Sequence, residues 1–436
     1  MELQPEGMQQ SSAQYPAQPS SSPAPDASTP QPISYPPAAS ASAHHIPVMQ
    51  GLRQLGHSVP KWKAPSRHSV TFYFAVALLL ALGIAGLIFM LPFLAEHGIG
   101  ITVGLTMLAL LPVVVIISFI TWIDNWEREP VSLYIVAFVW GAGVSTIFSL
   151  ISNQVFGVAA ASMLSESGAS VASTVVGAPL IEEAFKGIGI LVILLFFSKN
   201  FNGPVDGIVY GMLIGLGFAF TENILYFSMY YEDLAYVFRA RAILNPFVHP
   251  LATSMTGFFI GLSVQQRSRT SLFYLAPTGY VIAVGLHALH NLSAVLEMSD
   301  FTRLLYQIPV YLVTIGIIIG ARVAERRDVM GALREYGKAG WITQNELSMI
   351  ESIPNRRQAI LWARNTVAQA GGDAEDGEDS MRRFQDELVQ LGYARSRNLQ
   401  RGVVNLPEIR QEEAERLALI GQLRKVFTGK YARGLA

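Results

Sequence analysis

The chain has 436 residues, 51% of them hydrophobic and only 14% charged, with a mean hydropathy of +0.35 and a formal net charge of -1. A soluble domain carries about 25% charged residues, so the composition excludes an ordinary soluble enzyme, and the absence of a basic surplus gives no reason to expect a nucleic-acid partner. There is no cysteine, which removes disulfides, thiolate metal sites and a cysteine nucleophile.

Residues 1–62 are rich in Pro, Ser, Ala and Gln and lack aliphatic periodicity. Such a segment buries too little apolar surface to offset its chain entropy, and a disordered tail is expected. His44 and His45 fall within it and read as incidental. The opening MELQPEGMQQ has no basic stretch before an apolar core. No cleavable signal peptide is expected, and the first membrane helix serves as its own insertion signal.

Eight apolar runs follow, at 69–94, 101–123, 131–155, 171–197, 206–230, 244–264, 272–297 and 304–323. About 20 residues cross the hydrocarbon of a bilayer. The pattern predicts an all-α, polytopic membrane helical bundle of about eight transmembrane helices over residues 68–325. Lys61, Lys63 and Arg67 precede the first run, Arg128, Lys199, Arg267 and Arg269 lie in alternate loops, and Arg322, Arg326 and Arg327 follow the last. Under the positive-inside rule this fits a multi-pass plasma-membrane protein with both termini cytoplasmic. Arg239 and Arg241 break the alternation. Residues 326–436 alternate apolar and charged positions at helical spacing around an acidic break at 370–380 and are expected to form a small cytoplasmic helical appendage.

Polar residues inside the runs are few, and they cluster in the fourth to seventh. The fourth carries Glu182, Glu183 and Lys186, with Glu182 and Lys186 on one helical face. The fifth places Phe218 and Glu222 on one face, with Asn223 adjacent. The sixth has His249, and the seventh has His287, His290 and Asn291. The other four runs carry no charge in their interiors. Each charged group costs about 2.5–3.5 kcal/mol at the centre of a membrane helix, so such residues are functional candidates by default. At about 1.5 Å per residue, an inside N-terminus brings these groups together in the outer half of the bilayer. Gly207, Gly211 and Gly215, at four-residue spacing, form a small-residue packing face. Asp206, at a helix entrance, reads as an N-cap.

Three carboxylates thus face one lysine among neutral histidines. A dry site cannot hold that surplus, so either a carboxyl is protonated or a cation binds. Glu and His suit Zn²⁺, and a carboxylate beside a water is a plausible general base.

These residues resemble the PrsW family of intramembrane proteases, related to the CAAX-processing and bacteriocin-protecting membrane peptidases. The motifs read Glu182-Glu183 with Phe185-Lys186, Phe218 to Glu222, His249, and His287 to Asn291. Glu-Glu-Ala-Phe-Lys is one residue shorter than the Glu-Glu-x-x-x-Arg of the CAAX relatives, whose second motif ends in His where Glu222 stands. DNWEREP before the third run and DGIVYG before the second motif also look like the PrsW branch. The resemblance covers about residues 70–325. It implies hydrolysis of peptide bonds in membrane-anchored proteins, in family members the first-site cleavage of an anti-sigma factor. In that reading Glu182 and Glu183 activate water with Lys186 beside them. Glu222, His249 and His287 bind metal, zinc by donor type, or the oxyanion, and Asn291 stabilises the oxyanion. A metal-free, glutamate-activated water fits the same residues. The rivals are a proton-coupled transporter, disfavoured because no inverted repeat is visible, and a non-catalytic membrane scaffold.

Overall fold

The computed structural model describes residues 70–427 apart from 95, 127, 267 and 370. The expected tail at 1–62, and Lys61, Lys63, Arg67 and Arg267, lie outside the described residues. The described residues fold into helices joined by short turns and loops. We label them α1 (Val70–Leu94), α2 (Ile99–Ile123), α3 (Val131–Met163), α4 (Glu166–Ala172), α5 (Ala178–Phe196), α6 (Pro204–Met229), α7 (Val248–Gln265), α8 (Leu272–Val295) and α9 (Asp300–Lys338). Then come α10 (Gln344–Glu351), α11 (Ile353–Gln369), α12 (Ala374–Arg401) and α13 (Pro407–Lys425).

By length and apolarity, seven of the described helices can cross a membrane. The eighth expected run, 171–197, is helical too, but α5 is only 19 residues long and carries Glu182, Glu183 and Lys186. Its charge removes it from the apolar set. Its protein neighbours, rather than lipid, must accommodate it.

The bundle is organised around α6, the most buried span. Its glycine stripe lies directly on α7. A methyl group built on Gly207 would stand 2.0 Å from the Gly257 carbonyl oxygen, one on Gly211 2.7 Å from that of Thr253, and one on Gly215 2.6 Å from that of His249. Backbone touches backbone, the close approach that small residues permit in lipid, where the hydrophobic effect does not drive helices together. The opposite side of α6 meets α3 equally closely, since a methyl on Gly217 would stand 1.9 Å from the Phe138 carbonyl oxygen. Asp206 is not the N-cap itself. Gly203 occupies that place, and Asp206 reaches back from the first turn to accept the Asn202 N–H at 2.6 Å.

Three helical segments widen to π geometry, at Trp140–Ser145, Ser173–Gly177 and Arg239–Leu244. Such turns concentrate at functional sites, and here each adjoins the charged cluster. Trp140 Nε1 and Ser145 Oγ both donate to the Phe185 carbonyl at 3.2 Å, which ties α3 to the site-bearing turn of α5.

A second apolar core forms where α9 continues beyond the bundle. Val329, Leu333, Met349, Ile350, Phe384 and Leu388 fill it. It docks on one end of the bundle. Arg356 donates to the Trp126 carbonyl at 2.7 Å, Trp126 packs its ring 6.0 Å from Tyr393, and Arg397 reaches Asn202 Oδ1 at 3.4 Å. At that end Asp124 is buried, and its Oδ2 accepts the Glu129 N–H at 2.9 Å and the Tyr134 hydroxyl. Burial pushes the Asp124 carboxyl up to about 7, against the lowering effect of those two hydrogen bonds and of Arg128. Glu129 in turn accepts the Tyr210 hydroxyl at 2.7 Å.

Candidate active site

α5, α6, α7 and α8 bring Glu182, Glu183, Lys186, Glu222, His249 and His287 into one connected network. Glu183 is fully buried and saturated. Its Oε1 lies 2.8 Å from Lys186 Nζ and 3.0 Å from His287 Nδ1, and its Oε2 accepts the Thr253 hydroxyl at 2.9 Å. Lys186 is equally buried. Its ammonium continues to His249 Nδ1 at 3.0 Å and sits 3.8 Å from the centre of the Phe218 ring. That face-on cation–aromatic contact is strongest where water is excluded, and it accounts for Phe218 one turn before Glu222.

Glu222 has a different set of partners. His249 Nε2 lies 2.8 Å from its Oε2, and Arg241 meets the same oxygen at 2.5 Å while donating from Nε to Asn223 Oδ1 at 2.9 Å. Arg241 also lies over the Tyr226 ring at 4.1 Å. The π turn Arg239–Leu244 carries it there, just before α7. The cluster therefore has two fixed cations, Lys186 and Arg241, against three carboxylates. One negative charge remains, and the hydrogen bonds identify where. Glu182 Oε1 accepts from Asn153 at 3.2 Å, whereas its Oε2 is buried without a hydrogen-bond partner. Lys186 Nζ stands 3.7 Å from that oxygen and His287 Nε2 3.8 Å from it, both beyond hydrogen-bond reach.

Among the described residues, Glu182, His249 and His287 are the group able to hold a metal ion, with ligand atoms all within 4.8 Å of one another. The expected trio was Glu222, His249 and His287. Glu222 Oε2 meets both the Arg241 guanidinium and His249 Nε2. The donor set suits zinc, and the free Oε2 of Glu182 faces the Nε2 side of His287. His249 has Lys186 on Nδ1 and Glu222 on Nε2, so it can ligate only by releasing one of them. Asn291 lies outside the network. Its side chain donates to the Thr174 carbonyl at 2.9 Å, tying α8 to the π turn ahead of α5. His290 turns instead to Gln307 Nε2, 2.9 Å from its Nδ1.

The residues that sequence reasoning passed over are Arg241, Thr253 and Asn153. Arg241 had a signal, since three carboxylates against one lysine leave room for a second cation, and it stands eight residues before His249 in sequence.

A helical bundle that encloses a largely buried Glu–His–Lys–Arg network defines a polytopic membrane protein with a chemically armed interior. Residues 129–319 match the family model described as PrsW family intramembrane metalloprotease. It is similar to the protein named Protease PrsW of Clostridioides difficile (strain 630), 31% identical over 157 residues, or 36% of this chain and 64% of that one. It is 33% identical over 150 residues to Protease PrsW of Geobacillus kaustophilus (strain HTA426), covering 34% and 62% of the two chains. To Protease PrsW of Bacillus subtilis (strain 168) it is 30% identical over 150 residues, 34% and 64%. The chain thus spans less than two thirds of the length of these relatives. No solved structure matches it.

Proposed function

We propose that the protein is an intramembrane endopeptidase that hydrolyses peptide bonds in membrane-anchored proteins. The observation that carries this reading is the unpartnered Oε2 of Glu182, buried beside His287 in a network where every other carboxylate is engaged. A carboxylate so placed is a general base waiting for a water. In the reaction, Glu182 takes a proton from that water, whose oxygen forms a bond to the scissile carbonyl carbon. As the tetrahedral intermediate collapses, the C–N bond breaks and Glu182 returns the proton to the departing amine. Glu183 orients His287, and Lys186 holds Glu183 and His249 in register. Arg241, whose side chain keeps 21% exposure while Lys186 has none, is the cation able to face the developing oxyanion.

Glu182, His249 and His287 would hold a divalent metal, zinc by donor type. When bound it supplies Lewis-acid polarisation of the scissile carbonyl. The engagement of both His249 nitrogens favours a second version of the same chemistry, in which the glutamate activates water without metal. For the substrate we propose a membrane-anchored protein of the anti-sigma type that the family resemblance implies. For the topology we propose a plasma-membrane location with the α10–α13 end cytoplasmic, so that residues 326–436 form an appendage to a membrane domain at 68–325. The basic side chains of the alternate loops support that orientation.

The test is purified protein and Glu182→Gln on a panel of single-span substrates, with zinc quantified in both. Cleavage by the wild type alone, with about one zinc per chain by the single-site expectation, establishes the metalloprotease. Cleavage without bound metal establishes the glutamate mechanism. Absence of cleavage by folded protein across the panel removes the peptidase reading.

A further inference from the structure

α8 and α9 are the least buried of the spans, and a crevice of about 360 Å³ opens between them near the Leu296–Ser299 end, lined by Leu289, Leu292, Met298, Leu305 and Tyr306. It runs on into a narrow extension lined by Val248, Leu251, His290, Gln307 and Tyr311. Val248 adjoins His249, and His290 is one turn from His287, so the extension ends against the charged network.

The walls are mostly apolar, with Ser293 and His290 on α8 and Thr302, Tyr306, Gln307, Tyr311 and Thr314 on α9 as their polar members, and Arg303 stands one turn before Tyr306 and Gln307. Arg303 Nε, Tyr306 Oη, Gln307 Oε1 and Tyr311 Oη are all buried without a hydrogen-bond partner. They recur at helical spacing on one side of α9, and Gln307 is only 4% exposed. Pro309 sits in the middle of the stripe and deprives the Leu305 carbonyl of its ordinary helical donor. Such a concentration of unsatisfied groups is costly in hydrocarbon, where water cannot repair it. A lipid acyl chain fits the apolar walls but offers these groups nothing. A peptide backbone offers one donor and one acceptor per residue as soon as it leaves the helical state.

We propose that the α8–α9 crevice is the docking groove for the substrate's membrane-spanning segment. The α9 stripe would take up the backbone groups freed where that segment unwinds, next to Glu182 and His287. This rests on the peptidase reading. The preferred substrate is then a span with a helix-breaking pair in its core, because an uninterrupted helix keeps its backbone groups to itself.

The chain has no cysteine, so a single introduced cysteine carries a photo-crosslinker at one defined place. Leu292→Cys and Leu305→Cys report on the crevice, and Val115→Cys on the lipid-exposed face of α2 is the control. The probes are biotinylated single-span Leu/Ala peptides with and without a central Gly-Pro pair. The expected result is adducts at both crevice positions well above the control, and more with the interrupted peptide. Gln307→Leu and Tyr311→Phe should each lower the adduct yield of the interrupted peptide about fivefold, the worth of one hydrogen bond. Equal labelling at all three positions, or acyl-chain adducts alone, overturns the groove while leaving any observed cleavage intact. Crevice adducts in a protein that cleaves nothing keep the groove and remove the peptidase.

Discussion

Glu182 Oε2 and His287 Nε2 face each other at 3.8 Å across a gap that no hydrogen bond closes, while one residue further along α5 Glu183 is fully engaged. The two adjacent carboxylates therefore have separable tasks, and substitution should separate them.

Glu182→Gln keeps the shape and the Asn153 contact but removes the base. Turnover should fall by about 10²–10⁴-fold, the range for loss of a general base, with thermal unfolding in detergent unchanged within error. A Glu182→Gln protein that retains most of its activity would transfer the base role elsewhere.

Glu183→Gln should act on folding first. It leaves Lys186 buried with a weakened partner, and breaking one side of a buried pair costs about 3–5 kcal/mol. A lowered unfolding temperature is expected, with part of it regained in Glu183→Gln/Lys186→Met. Stability unaffected by the single change would show that Glu183 is not the structural anchor of the network.

Arg241 tests the site from the side that sequence reasoning left out. Its guanidinium contacts Glu222 and Asn223 together, a fork that lysine cannot reproduce. Arg241→Lys should retain a fraction of the turnover and Arg241→Met very little, with Arg241→Met/Glu222→Gln less impaired than the two single effects predict. Strict additivity of the two would mean that the pair does not act as a unit.

Gly207 carries the α6–α7 approach. Gly207→Ala drives a methyl onto the Gly257 carbonyl, a backbone atom that cannot swing aside, so about 1–3 kcal/mol of overpacking is expected. Cleavage should fall with stability because His249 rides on α7. Gly285→Ala, where a methyl group meets nothing within 4 Å, is the matched control.

Asp124 sets a pH dependence. Its carboxyl keeps its proton to about 7 in the folded protein against an ordinary value of 3.8. Folding thus takes up a proton between those limits, and the stabilisation is complete below about 3.8 and lost as pH rises towards 7. The unfolding temperature should decline between about pH 4 and 7, and Asp124→Asn should flatten that decline. An unchanged slope in the variant would assign it to other groups.

The membrane class and the gathering of Glu182, Glu183, Lys186, Glu222, His249 and His287 were legible because charge inside an apolar run is costly, so it stands out residue by residue. The stripe at Gly207, Gly211 and Gly215 was legible for the same local reason. Which carboxylate stays free was not, since it depends on the Arg241 π turn, a displacement that no periodicity announces. Arg241 looked like a loop charge that violated the topology rule, while its real partner lies 19 residues earlier in sequence. Motif spacing also singled out Asn291, whose amide donates to the Thr174 carbonyl and so ties α8 to the π turn ahead of α5.

The expected boundary at 325 also falls inside a helix. α9 runs unbroken for 39 residues from the crevice to the second core, about 58 Å at the α-helical rise. A rod of that length is a lever. Tilting it by a few degrees about Pro309 to admit a guest on one side sweeps its far end by several ångströms, by the same geometry. The α10–α13 core, anchored on Trp126 and Asn202, must give way or resist. One continuous rod therefore couples that core mechanically to the crevice.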